Sequence, residues 1–196
     1  MAIQPVALIK ALRPYQWIKN GLVFVPFVFS VKVAWSPNNL DPVPDMLLKL
    51  VFLFLAFCAL ASATYLLNDM MDRHADREHP VKRNRPIASG KVGVVTAMVL
   101  MVVLVVAGLA VMASVDLVLG AIGLLYVCIN VAYSLGMKQV VLVDLMAVAS
   151  GYVIRAAAGA VAIDVAASPW LYATTGAGAL FIVLGRRYAE VRLAGD

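Results

Sequence analysis

The sequence predicts an all-α fold, a polytopic bundle of about six transmembrane helices. Three observations carry that prediction. Of the 196 residues, 63% are hydrophobic and only 14% are charged, against roughly 45–50% and about 25% in a soluble domain. The apolar residues stand in runs near the ~20 residues that a membrane-crossing helix needs. The charge is gathered rather than scattered, above all in "LNDMMDRHADREHPVKRNRP", Leu67 to Pro86.

Taken in order, the expected spans are Trp17–Ala34, Met46–Leu67, Gly93–Ser114, Leu117–Leu135, Val140–Ile163 and Pro169–Gly185. The first should be kinked by Pro26, which has no backbone N–H to donate. A turn at Asp116 separates the third from the fourth, and Gly136–Gln139 separates the fourth from the fifth. Connections this short favour antiparallel neighbours, so one bundle domain over 1–196 is expected. Placing the N-terminus in the cytoplasm puts 13 of the 16 Lys and Arg on that side. Because basic residues beside spans set topology, both termini and the Asn68–Lys91 loop are expected to be cytoplasmic, in a multi-pass protein of the cell (inner, plasma) membrane.

The same placement accounts for the net charge of +5 without nucleic acid, which is not an expected partner. Cys58 and Cys128 lack a CxxC spacing and lie in apolar runs, which suits packing better than metal binding. No small-residue cleavage site follows the first apolar run, so a signal peptide is not expected.

The first charged cluster has the pattern NDxxDxxxD: Asn68, Asp69, Asp72 and Asp76. At about 100° per helical residue they lie near 0°, 100°, 40° and 80°, on one face of any helix that continues past Leu67. Carboxylates so crowded repel one another, and a divalent cation relieves that. Mg²⁺ takes carboxylate oxygens, keeps waters and bridges to substrate phosphates. Lys82, Arg83 and Arg85 follow, and such groups hold phosphate oxygens, Arg by a bidentate fork. The bland alternative is a solvated loop carrying topology signals. His74 and His79 are read as loop residues.

The second cluster is "YSLGMKQVVLVDLMAVASGYVIR", Tyr133 to Arg155. Asp144 and Arg155 fall inside the fifth span, where ionisable groups are costly and default to function. They share a helix face but stand about 16 Å apart along it, so each needs another partner or a ligand. Asp144 lies about one turn inside the membrane boundary, level with the first cluster. The small residues around it, Ala147 to Ala160, suit close helix packing.

With these residues in view, the chain resembles the UbiA-type intramembrane prenyltransferase superfamily. "NDMMDRHAD" and "KRNRPIASG" (Lys82–Gly90) look like its first motif. "LRPYQWIKN" (Leu12–Asn20) and "YSLGMKQVVLVDLMAVASGYVIRAAAGA" (Tyr133–Ala160) are similar to the subgroup of decaprenyl-phosphate phosphoribosyltransferases. The resemblance implies a nine-helix bundle, so the chain is expected to be C-terminally incomplete. It implies Mg²⁺-dependent transfer of 5-phosphoribose from 5-phosphoribosyl diphosphate to a polyprenyl (decaprenyl) phosphate, releasing diphosphate, as a step towards cell-wall arabinan. By position, Asn68, Asp69, Asp72 and Asp76 would hold the metal, and Asp72, Asp76 and Asp144 would be catalytic. Lys19, Asn20, Asn68, Lys82, Arg83, Arg85, Tyr133, Lys138 and Arg155 would contact substrate. The competing expectations are transfer of a prenyl group to an aromatic acceptor, and a non-catalytic transporter or lipid-binding protein. A homo-oligomer stays open.

Overall fold

A computed structural model describes residues 5–136 and 141–194. Helix α1 (Pro5–Leu12) leads into a 3-10 stretch, Pro14–Phe24, and a short helix α2, Val25–Phe29. Four helices follow that are long and apolar enough to cross a membrane: α3 (Val43–Met71), α5 (Val94–Val115), α6 (Leu117–Leu135) and α7 (Val141–Ala162). Between α3 and α5 lie α4 (Arg73–Glu78) and a 3-10 turn, Lys82–Asn84; α8 (Pro169–Ala194) comes last. The integral membrane helix bundle is therefore as expected. Helix α3 is its axis: it touches α1, the first 3-10 stretch, α5, α6 and α7, and it is the most buried of the four spans.

The first expected span differs. It does not run as one helix to Ala34, but ends at Phe29 and folds back through a loop. Pro26 makes no kink, because it sits in the first turn of α2, where its missing N–H is not needed. The 3-10 coil upstream has a physical reason. In such a coil, residues three apart eclipse one another, which aligns Trp17, Asn20 and Val23 in one row. Trp17 Nε1 donates to Ser62 Oγ at 3.0 Å and Asn20 Nδ2 to Cys58 Sγ at 3.2 Å, so this row docks on α3. At about 2.0 Å rise per 3-10 residue and 1.5 Å per α residue, Pro14–Phe29 still reaches about 30 Å, one hydrocarbon thickness.

Helix α7 closes on the same row. A Cβ at Gly159 would collide with the backbone carbonyl of Val23, so only glycine lets the two backbones meet there. Gly159→Val is expected to cost about 1–3 kcal/mol, at the upper end because the obstacle is backbone. A thermal melt in detergent checks it, and an unchanged midpoint would show that the contact holds nothing together.

The remaining boundaries follow local chemistry. Asp116 caps α6, its side chain accepting from Val118 N at 2.6 Å. Helix α8 runs nine residues past the expected Gly185. The Asn68–Lys91 segment is compact rather than an open loop: Arg77 Nε donates to the Ala88 carbonyl at 2.9 Å, and Ile87 and Val92 pack against Ala7, Ala11 and Leu66.

Candidate functional site

Helix α3 carries the first motif out of the bundle with little interruption. Asp72 N bonds to the Asn68 carbonyl and Asp76 N to the Asp72 carbonyl, at 2.9 and 2.8 Å. The motif keeps its helical spacing, and the structure divides it in two. Asn68 and Asp72 line a cavity of about 550 Å³. Asp69 and Asp76 point away from it and are buried, 1% and 3% exposed. Arg13 holds Asp69 at 2.6 Å, while Arg85 spans Asp69 and Asp76 at 3.2 and 2.8 Å. Two carboxylates thus fix two guanidiniums, and Arg13 and Arg85 both line the cavity.

The second motif enters from across the cavity. Tyr133 Oη donates to Asp144 Oδ1 at 2.8 Å, joining α6 to α7, and both residues line the cavity with Lys19 and Lys82. The expected nearness of Asp144 to the first cluster is realised as a shared wall. Deeper in, Arg155 is buried, 7% exposed. Its Nε donates to Asn20 Oδ1 at 2.6 Å, Nη1 to the Gly151 carbonyl at 2.5 Å and Nη2 to Tyr126 Oη at 3.0 Å. The rings of Phe57 and Tyr126 cover it.

Other expected site residues lie elsewhere. Asn20 is buried behind Arg155 rather than on the cavity wall. Arg83 is exposed to solvent away from the cavity. Lys138 lies outside the described residues. Sequence reasoning passed over Arg13, although it stands inside the quoted "LRPYQWIKN". It also passed over Tyr126 and Asn130, which line the cavity with Tyr133. Their spacing of i, i+4 and i+7 is a polar stripe on one face of α6, and that was the available signal.

The donor chemistry suits a magnesium ion. Asn68 donates through Nδ2 to Asp72 Oδ2 at 3.1 Å, leaving its Oδ1 buried with no hydrogen-bond partner. Such an orphaned oxygen costs roughly 1–3 kcal/mol and is the kind of hard ligand a divalent cation takes. Among the described residues no three His, Cys, Asp or Glu side chains gather as a ready-made cage. Mg²⁺ does not require one, because it binds through one or two carboxylates plus waters and substrate phosphates.

Curated relatives share most of this chain. It is 41% identical over 187 residues to the decaprenyl-phosphate phosphoribosyltransferase of Mycolicibacterium smegmatis, covering 95% of this chain and 58% of that protein. It is 36% identical over 189 residues to the protein of the same name from Corynebacterium glutamicum, covering 95% and 55%. The chain therefore spans between half and two thirds of the relatives' length. In fold it is like a UbiA homolog from Archaeoglobus fulgidus bound to GPP and Mg²⁺, with a TM-score of 0.74 at 21% identity over 90% of this chain and 61% of that one. The UbiA prenyltransferase family model matches residues 23–196, from the end of the 3-10 stretch through both charged motifs, and this chain belongs to that family.

Proposed function

We propose that the cavity transfers 5-phosphoribose from 5-phosphoribosyl diphosphate to a polyprenyl phosphate and releases diphosphate. One observation carries the proposal: a single cavity is lined by Asn68 and Asp72, which offer metal-type oxygens, and by the cations Arg13, Lys19, Lys82 and Arg85. That pairing suits a Mg²⁺-bound diphosphate. The names of the relatives support the choice of donor and acceptor.

Asn68 and Asp72, with Asp144 opposite, would hold Mg²⁺, which when bound neutralises charge on a departing diphosphate. Arg13 and Arg85 cannot lose their protons, and Asp69 and Asp76 hold them in place. They need no reorganisation as negative charge grows on the leaving oxygens, the condition under which electrostatic stabilisation is largest. Lys19 and Lys82 add further positive charge to the same wall. The bond from the anomeric carbon to the diphosphate breaks and leaves positive character on the ribose. The acceptor phosphate, already an anion near neutral pH, forms the new bond, so no strong general base is needed. Tyr133 orients Asp144, whose carboxylate faces the cavity in which that positive charge develops. The acceptor's hydrocarbon tail lies between helices, towards the bilayer. The mouth faces the cytoplasm, where a soluble donor is met, in keeping with the distribution of basic residues.

Membranes bearing the protein, given Mg²⁺, polyprenyl phosphate and donor labelled in the ribose, are expected to yield lipid-soluble label and diphosphate in equal amounts. Label that stays in water, with prenyl diphosphate instead consumed on an aromatic acceptor, would reverse the assignment.

A further inference from the structure

We infer that Arg155 is the anchor for a phosphate monoester at the deep end of the cavity, the 5-phosphate of the donor, and so decides which class of diphosphate the site accepts. The inference rests on the proposed function and deepens it.

Arg155 is a permanent cation inside the bundle. Its hydrogen-bond partners, the Asn20 amide oxygen, the Gly151 carbonyl and the Tyr126 hydroxyl, are all neutral. Among the described residues no Asp or Glu lies within ion-pair distance of it. A guanidinium has five N–H donors; three are used here, which leaves two, and the residue lines the cavity. Arg13 and Arg85 are each paired with carboxylates, whereas Arg155 joins α7 to α6 and to the 3-10 stretch through neutral groups alone. Arg155 is instead solvated by dipoles and aromatic faces that hold its plane and leave its charge uncancelled.

Distance assigns the occupant. The Arg155 side chain folds back one turn to Gly151, seven residues along α7 from Asp144, or about 10 Å. A donor whose diphosphate sits at Asn68, Asp72 and Asp144 presents its far end there. In phosphoribosyl diphosphate that end is a phosphate ester, and the ribose ring spans the gap. In a prenyl diphosphate it is hydrocarbon. Hydrocarbon against a buried guanidinium leaves the charge without a counter-ion, which is costly. A phosphate there takes both remaining N–H groups in a bidentate fork.

The test measures binding to the purified chain, with Mg²⁺ present, of four probes: phosphoribosyl diphosphate, inorganic diphosphate, a polyprenyl phosphate and a prenyl diphosphate. Arg155→Gln is expected to weaken the first by about 30-fold, as for loss of charge-assisted bonds, and inorganic diphosphate by less than about twofold. Arg155→Lys keeps the charge without the fork and should recover part of the loss; it also serves as the test if the glutamine variant does not fold. Equal weakening of phosphoribosyl diphosphate and inorganic diphosphate overturns the inference, because Arg155 is then only structural. Weakening confined to the polyprenyl phosphate overturns it too, by giving the subsite to the lipid. If the unaltered protein binds prenyl diphosphate in preference to phosphoribosyl diphosphate, the proposed function itself fails.

Discussion

Asp72→Asn is expected to lower the proposed phosphoribosyl transfer by about a hundred- to a thousand-fold while the protein stays folded. Asp72 is the one carboxylate of the first motif on the cavity wall, and it accepts the hydrogen bond from Asn68 Nδ2 that leaves Asn68 Oδ1 buried and unpartnered. An amide in its place keeps the size and loses the charge that a divalent cation needs. The loss should be largest at low Mg²⁺ and shrink as Mg²⁺ is raised. Initial rates across a Mg²⁺ titration check this. A variant with the unaltered rate at every Mg²⁺ concentration would remove Asp72 from the metal site.

Asp69→Ala should act on stability, not on metal. Asp69 is buried between Arg13 and Arg85, whose side chains are 17% and 26% exposed. Removing one partner of a buried ion pair costs about 3–5 kcal/mol, since the other charge stays uncompensated. Water reaches both arginines, so the lower end, about 3 kcal/mol, is expected. The unfolding midpoint reports it. Adding Arg13→Leu to Asp69→Ala should recover part of the loss, the signature of a pair in a double-mutant cycle. The Mg²⁺ dependence of surviving activity should match that of the unaltered protein. A Mg²⁺ requirement that rises with Asp69→Ala as it does with Asp72→Asn would return Asp69 to the metal.

The contrast between these neighbours shows how far the sequence can be read. The helical wheel places all four motif residues within about 100°, and that face exists. The same wheel separates Asn68 and Asp72, near 0° and 40°, from Asp69 and Asp76, near 100° and 80°. The division is visible, but its meaning depends on Arg13, 56 residues away in sequence. Long apolar runs with a sharp end were read to within a residue, as for α5 and α6, because Gly93 and Asp116 mark their boundaries. The first span differs because Trp17–Ala34 is a near-continuous apolar run, in which no periodicity separates a 3-10 coil from an α-helix. Only the partners Ser62, Cys58 and Gly159 choose between the two. Arg155 was recognisable as an intramembrane charge. Its neutral partners were not, since Asn20 and Tyr126 come from two other parts of the chain.

The 3-10 stretch also imposes an order on biogenesis. Asn20 and Arg155 are 135 residues apart. At roughly 5–20 residues per second, synthesis takes about 7–27 seconds to deliver the arginine after the asparagine. Cys58 and Ser62 arrive far sooner, so α3 is the cradle on which the nascent segment first rests. Helix α7 then clasps it through Gly159 and Arg155. The segment that leaves the ribosome early must wait for α7 before its set of partners is complete, and the cavity gains Arg155 in the same event.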